Sequence, residues 1–148
     1  MSLLDNKKAG FNYEFLDKYE AGLELTGPEV KTIRGGYGSL DGSYVSLRGG
    51  EAFLLNASIP PYQPGNVPDS YDDRRPRRLL LSKNQLAVLS AQEKEHGLTL
   101  VPLSVYNKSR VLKLSFAVAK GKKKADKRET IKRREADREI RRTLKTEL

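Results

Sequence analysis

The chain has 148 residues and a formal net charge of +9, with 28 Lys/Arg against 19 Asp/Glu. It contains no cysteine, which excludes disulfides and thiolate metal sites. No apolar run approaches the length of a membrane span, and the N-terminus lacks the apolar centre of a secretory signal. We therefore expect a cytoplasmic protein with no membrane partner. The excess of basic residues favours a polyanionic partner, with nucleic acid as the first candidate.

Most of this charge lies in the last stretch, residues 120–148. It holds 13 Lys/Arg and 6 Asp/Glu, a net of +7, so residues 1–119 carry only +2. Its large apolar residues are too few to form a core, although its Lys, Arg, Glu and Ala favour a helix. We predict a folded domain over 1–119 and a basic tail over 120–148 that is disordered alone and helical when bound to RNA. The alternative is a solvated tail without a specific role.

The N-terminal part of the domain has the alternation of strands. Residues 1–9 are expected to be loose. Phe11–Phe15 and Ala21–Leu25 each alternate apolar and polar positions, which predicts two strands joined by a turn at Asp17–Lys18. In this pattern Glu20 points away from the core.

Turn and cap residues mark the following elements. Gly27-Pro28 opens a short helix that Gly35-Gly36 ends. Tyr44–Arg48 and Glu51–Asn56 predict a hairpin across Gly49-Gly50. Residues 57–76 contain five prolines and predict a long loop.

A second helix is predicted from Lys83 to His96. Ser82 and Gln85 form a capping box at its start, Leu86 and Leu89 form its core face, and Gly97 ends it. Two further strands follow, Thr99–Tyr106 and Val111–Ala119, joined by a turn at Asn107–Ser109. Six short strands with two to three short helices predict a mainly β fold, a small antiparallel OB-like barrel that is closed or nearly closed. We expect a monomer.

The sequence contains little that indicates an enzyme site. His96 is the single histidine and stands at a predicted helix end, where a capping role is favoured. There is no phosphate-binding glycine loop and no set of residues for nucleophilic catalysis. Asp69, Asp72 and Asp73 stand near Arg74 and Arg75, which is typical of a solvated loop rather than a metal site. The sequence therefore predicts no cofactor, no metal and no enzymatic activity.

A group of arginines offers a candidate RNA contact. Arg75, Arg77 and Arg78 stand with Arg74 at the end of the long loop, where guanidinium groups can contact phosphates and base planes. The alternative is a rim that only increases solubility. Lys113, on the outer face of a strand, could extend a basic surface with Lys7 and Lys8.

Eight sequence blocks in order resemble one known family. They are Asn6–Ala9, Tyr19–Gly22, Gly27–Lys31, Glu51–Asn56, Arg75–Leu81, Gly97–Leu103, Ala119–Lys123 and Asp126–Glu129. The chain resembles the small protein B family of SsrA-binding proteins, which are the partners of transfer-messenger RNA (tmRNA) in bacterial trans-translation. The match extends from about Asn6 to Leu144.

The resemblance implies an oligonucleotide-binding barrel that grips the tRNA-like domain of tmRNA. The positions implied in that grip are Glu20, Leu80 and Lys113, with Lys7 and Lys8 as a further basic arm. Glu20 would accept a hydrogen bond from a base edge or a 2′-hydroxyl. Leu80 would offer an apolar contact, and Lys113 a phosphate contact.

The resemblance also implies that the tail binds the ribosome. In the family the tail becomes helical in the empty mRNA path and contacts ribosomal RNA of the decoding region, and the ribosome supplies the chemistry. The implied tail positions are Lys122, Lys123, Lys124, Asp126, Lys127 and Arg128. Ala125 stands where the family commonly has a ring that can stack on a base. The alternative to this adaptor is a generic basic OB-type RNA-binding or ribosome-associated protein, which tail removal would distinguish.

Overall fold

The computed structural model describes residues 2–62, 65, 70–121, 134, 135 and 138. Its strands are β1 (Ser2–Asp5), β2 (Tyr13–Leu23), β3 (Tyr44–Arg48), β4 (Glu51–Leu55), β5 (Arg77–Leu80), β6 (Thr99–Lys108) and β7 (Val111–Gly121). Its helices are α1 (Ala9–Asn12), α2 (Gly27–Arg34) and α3 (Lys83–His96).

Six of these strands close into an antiparallel ring. Their hydrogen-bonded order is β6-β3-β4-β5-β2-β7, and β7 pairs with β6 again. β1 is added to β6 beside this ring. The predicted class, a mainly β antiparallel OB-like fold with small helices, is confirmed.

The core fills the inside of the ring because alternate residues of each strand point inward. On β7 the inward residues are Leu112, Leu114, Phe116 and Val118, all buried. The ring of Tyr19 on β2 stacks on Phe116, with 5.7 Å between ring centroids. Consequently Lys113 and Ser115 face outward.

The predicted turn at Asp17–Lys18 is wrong. β2 is one strand of 11 residues that pairs with β7 along its length, and its register shifts between Phe15 and Asp17. Such a bulge places one extra residue in the strand and so changes which face the later side chains occupy. Phe15 packs in a small outer cluster, whereas Tyr19 packs against the main core. The apparent break in alternation was therefore a bulge.

The N-terminal segment is ordered from Ser2 onwards, contrary to the expectation of a loose segment. β1 pairs with β6, and Leu4 is buried. The backbone N–H of Asn6 donates to the carbonyl of Leu103 at 2.8 Å, and its side chain donates to the carbonyl of Pro102 at 2.9 Å. The sequence pattern also did not predict β5, because this strand begins inside the arginine group.

The longer helices begin and end as predicted. In α2 the Thr26 hydroxyl and the Glu29 carboxylate form a capping box, and Pro28 stands in the first turn. In α3 the capping box is Ser82 with Gln85, and Gly97 ends the helix with φ 60°. α3 contributes the fully buried Leu89 to the core.

Among the described residues, no helix is both long enough and apolar enough to cross a membrane.

Candidate nucleic-acid interface

Three predicted site residues lie on adjacent strands at the outer face of the ring. Gly22 of β2 pairs with Leu80 of β5 on one side and with Lys113 of β7 on the other. Glu20 stands two residues before Gly22, so its side chain emerges on the same face. With neighbouring strands about 4.8 Å apart, Leu80 and Lys113 are separated by about 10 Å across the sheet. The fold thus brings Glu20, Leu80 and Lys113 together.

Gly22 lets Leu80 lie over the sheet. A Cβ atom at position 22 would stand 3.3 Å from both Cβ and Cδ1 of Leu80. Leu80, the last residue of β5, nevertheless remains 52% exposed. A depression of about 330 Å³ adjoins it, lined also by Arg78, Leu81 and Leu86. This surface offers an apolar contact to a ribose or a base.

The carboxylate of Glu20 is held by two residues of β6. The Tyr106 hydroxyl donates to Oε2, and Lys108 Nζ lies 3.2 Å from Oε1. The hydrogen bond from Tyr106 is the main cause that lowers the pKa of Glu20 below its usual range. The hydrogen bond from Lys108 and the charge of Lys113 lower it further. Burial and the Glu20 hydrogen bond raise the pKa of Tyr106 to about 12. At neutral pH Glu20 is therefore an anion and Tyr106 a neutral donor.

Glu20 has capacity left for a ligand. Its side chain is 36% exposed, and its carboxylate offers about four lone-pair sites. A carboxylate repels phosphate but accepts hydrogen bonds from amino groups of bases and from 2′-hydroxyls. Lys113 forms no ion pair within the described part of the chain, so its charge is available for a phosphate. The arrangement combines an acceptor, an apolar surface and a cation.

The predicted RNA contact of Arg77 is wrong. Its side chain is 0% exposed and forms an ion pair with the equally buried Glu29. Alternation explains the error: Arg77 and Leu79 point inward on β5, whereas Arg78 and Leu80 point outward. Arg77 is therefore a buried structural residue.

The two other predicted arginines have different surroundings. Arg75 also donates to Glu29, but its side chain is 36% exposed. Arg78 is 48% exposed and lies on the same outer face as Leu80, with surface ion pairs to Glu24 at 3.5 Å and Glu51 at 3.3 Å. Such exposed pairs are weak, so an RNA phosphate can compete for Arg78.

Lys7 and Lys8 are not part of this group. They lie in the turn after β1 and line a separate depression of about 280 Å³ with Leu4, Gly38 and Asp41 among its other residues. Across the sheet, Glu20 pairs with Ser115, Ser115 pairs with Ser104, and Ser104 pairs with Asp5 of β1. β1 therefore lies three strand spacings, about 14 Å, from Glu20.

Sequence reasoning missed Tyr106, Lys108 and Gly22. The alternation of Val101, Leu103 and Val105 would have placed Tyr106 and Lys108 on the outer face. Their contact with Glu20 depends on the pairing of β6 with β7, which no local pattern specifies. The predicted tail positions Lys122, Lys123, Lys124, Asp126, Lys127 and Arg128 lie outside the described residues.

Comparisons with known proteins show the family of the chain. Residues 3–146 match the model of the SmpB protein family. The SsrA-binding protein of Gloeothece citriformis is 47% identical over 143 residues, which cover 97% of this chain and 92% of that protein. The SsrA-binding protein of Thermosipho africanus is 49% identical over 141 residues, which cover 95% and 94%.

A solved structure is also similar. It is described as "tmRNA-SmpB: a journey to the center of the bacterial ribosome". The matching chain has a TM-score of 0.67 and is 39% identical to this chain. The match covers 86% of this chain and 92% of the solved one. Because the family model and these relatives extend over nearly the whole sequence, the chain belongs to the SmpB protein family.

Proposed function

We propose that this protein is a non-enzymatic RNA-binding adaptor of trans-translation. It binds the tRNA-like domain of tmRNA and delivers it to stalled ribosomes in the cytoplasm. Membership of the SmpB family, with SsrA-binding relatives at 47–49% identity, supports the partners. The observation that carries the proposal is the outer face, where Glu20, Leu80 and Lys113 stand on three neighbouring strands.

The proposed roles follow from the chemistry of each side chain. Leu80 and the sheet around Gly22 receive a ribose or base, and Lys113 and Arg78 contact phosphates. Glu20 reads a hydrogen-bond donor of the RNA, which a purely basic surface would not do. A surface that combines these contacts is suited to one folded RNA rather than to any polyanion.

We further propose a division of labour along the chain. Residues 1–119 bind tmRNA, and residues 120–148 bind the ribosome, with Lys122–Lys124 and Asp126–Arg128 near the decoding centre in the empty mRNA channel. The strong charge asymmetry, +7 in the last 29 residues and +2 in the rest, supports this division. The tail then replaces the missing codon while the ribosome supplies peptidyl transfer.

Binding to the tRNA-like domain of tmRNA tests the proposal. The full chain and a variant ending at Lys124 are titrated by fluorescence anisotropy at near-physiological salt, with excess ordinary tRNA as competitor. We expect tight binding that resists the competitor and survives truncation. Binding that tRNA removes, or that is lost with the tail, would instead indicate a generic basic RNA-binding protein.

A substitution on the outer face tests whether Glu20 recognises the RNA. Glu20→Ala removes the acceptor while increasing the net positive charge, so a nonspecific electrostatic binder should bind more tightly. We expect weaker binding instead, with little change in thermal stability because the side chain lies outside the core. Glu14→Ala makes the same charge change at an exposed position of β2 and serves as the matched control.

A further inference from the structure

The contact between Glu20 and Tyr106 joins two strands that are not neighbours. Glu20 pairs with Ser115 of β7, and Tyr106 pairs with Lys113 of the same strand. The Tyr106 hydroxyl therefore reaches across β7 to donate to Glu20 Oε2. Lys108, two residues later on β6, lies on the same face and approaches both oxygens, at 3.2 and 3.4 Å.

We propose that Tyr106 is a positioning residue for RNA recognition: its hydroxyl fixes the Glu20 carboxylate so that the remaining lone pairs face the RNA. This inference rests on the proposed function, because Glu20 must be the group that reads the RNA. Tyr106 itself need not touch the ligand.

The chemistry of the two partners explains why Tyr106 has this role rather than Lys108. A glutamate side chain has several rotatable bonds, and a free carboxylate must be ordered when RNA binds. The tyrosine ring is stiff and partly buried, so its hydroxyl has a defined position. Lys108 Nζ belongs to a long side chain that is 61% exposed, and its contact with Glu20 is accordingly weak.

The hydrogen bonds from Tyr106 and Lys108 do not fill the Glu20 carboxylate. With about four lone-pair sites, it retains acceptor capacity on the exposed side for an exocyclic amino group or a 2′-hydroxyl. The neighbouring cations Lys108 and Lys113 offset its repulsion of the phosphate backbone. Glu20 can thus act as an oriented acceptor within a surface that remains attractive to RNA.

A double-mutant cycle tests the positioning role. The full chain, Tyr106→Phe, Glu20→Ala and the double variant are titrated with the tRNA-like domain, using excess tRNA as competitor. Tyr106→Phe keeps the ring and removes only the hydroxyl, so we expect an affinity loss of about 3- to 10-fold, the range of one hydrogen bond. In the Glu20→Ala background the same change should have no effect, because the carboxylate that Tyr106 positions is gone.

Tyr44→Phe is the matched control. Tyr44 is an exposed tyrosine on β3, outside the Glu20 group, and loss of its hydroxyl should leave affinity unchanged. A carbon-13 titration of the Glu20 carboxyl gives a second measurement that needs no RNA. The pKa of Glu20 should rise towards its ordinary value in Tyr106→Phe and not in Tyr44→Phe.

The outcomes separate the inference from the function on which it rests. If tRNA removes wild-type binding, the proposed function fails and this inference fails with it. If wild-type binding resists tRNA but Tyr106→Phe binds equally well, or loses the same factor with and without Glu20, the positioning role alone is overturned. Urea unfolding of each variant shows whether a loss of affinity reflects a loss of folding.

Discussion

Arg77 donates two hydrogen bonds to Oε2 of Glu29, at 2.9 Å from Nε and 2.7 Å from a terminal nitrogen, and neither side chain is exposed. The other terminal nitrogen of Arg77 donates to the carbonyls of Ala57 and Asp73 at 2.8 and 2.9 Å. Arg77 therefore connects β5 to α2 through the buried ion pair. Its other two hydrogen bonds connect β5 to both ends of the long loop. Because its charges and donors are satisfied, the arginine is stable in the interior.

Arg77→Met should destabilise the fold by about 3–5 kcal/mol, because it leaves Glu29 as a buried charge without its main partner. Urea unfolding measures the free energy of unfolding. Arg78→Met is the matched control, since Arg78 is exposed and its ion pairs to Glu24 and Glu51 are worth about 1 kcal/mol or less. Similar losses for Arg77→Met and Arg78→Met would contradict a structural role specific to Arg77.

Because of the same ion pair, the free energy of unfolding depends on pH in the acid range. Burial alone would raise the pKa of Glu29, but hydrogen bonds from the Thr26 N–H, Arg77 and Arg75 lower it below its usual 4.5. A carboxyl with a depressed folded pKa contributes stability above its unfolded pKa and loses that contribution as the pH falls through the folded value.

We therefore expect Glu29→Gln to be less stable than wild type at neutral pH, with a difference that narrows below about pH 4.5, where Glu29 of the unfolded chain takes up a proton before Glu29 of the folded protein does. Urea midpoints from pH 7 to pH 3 measure this difference. Glu14→Gln removes an exposed carboxylate of β2 as the control and should stay close to wild type throughout. A difference between wild type and Glu29→Gln that persists unchanged into acid would show that the ionised carboxylate is not responsible.

The close approach of Leu80 to Gly22 predicts a second effect on RNA binding. In Gly22→Val the new Cβ would stand 3.3 Å from Leu80 Cβ and Cδ1, so Leu80 must shift by a few tenths of an ångström, and the valine methyl groups take up space on the face beside it. We expect RNA affinity to fall about tenfold, which corresponds to 1.4 kcal/mol. Anisotropy titration measures the affinity, and urea unfolding measures the stability.

Gly10→Ala is the control for this substitution, because a Cβ at position 10 meets no atom within 4 Å. It should leave RNA affinity unchanged. Normal affinity for Gly22→Val would show that the position of Leu80 over the sheet does not matter for RNA binding.

These relationships show which parts of the molecule local sequence patterns could predict. The Gly-Pro start and Gly-Gly end of α2, the capping box of α3 and the alternation that turns Glu20 outward could be predicted, since they depend on neighbours within a few residues. The buried pair of Arg77 and Glu29 joins residues 48 positions apart, and the Glu20–Tyr106 contact joins residues 86 apart. An arginine between Pro76 and Arg78 looks exposed from the sequence alone, and only its position on β5 reveals that it points inward.

In the hairpin between β6 and β7, the pairing of the two strands decides where the turn lies. A turn was predicted at Asn107–Ser109, but the pairing of Lys108 with Val111 places it at Ser109-Arg110. Both turn residues have positive φ, 50° and 66°, which suits the twist of a two-residue hairpin but strains an arginine. The Arg110 carbonyl accepts a hydrogen bond from Arg34 of α2 at 2.9 Å, which also ties the turn to the helix.

Arg110→Gly should therefore stabilise the protein by about 0.5–1 kcal/mol, since glycine adopts positive φ without the steric cost and keeps the backbone carbonyl. Thermal unfolding measures the change. Arg110→Ala removes the same charge without relieving the backbone and should not stabilise. If alanine raised the melting temperature as much as glycine, the gain would come from charge rather than from φ.

The last prediction separates the tail from the barrel. Asp126→Ala with Lys127→Ala leaves the net charge and the outer face unchanged, so affinity for the tRNA-like domain should stay near wild type. Tagging of nascent chains on stalled ribosomes should be lost if these residues contact the decoding region. Asp137→Ala with Arg138→Ala makes an equivalent change later in the tail and should keep tagging. Retained tagging in the first variant would remove the assignment of Asp126 and Lys127.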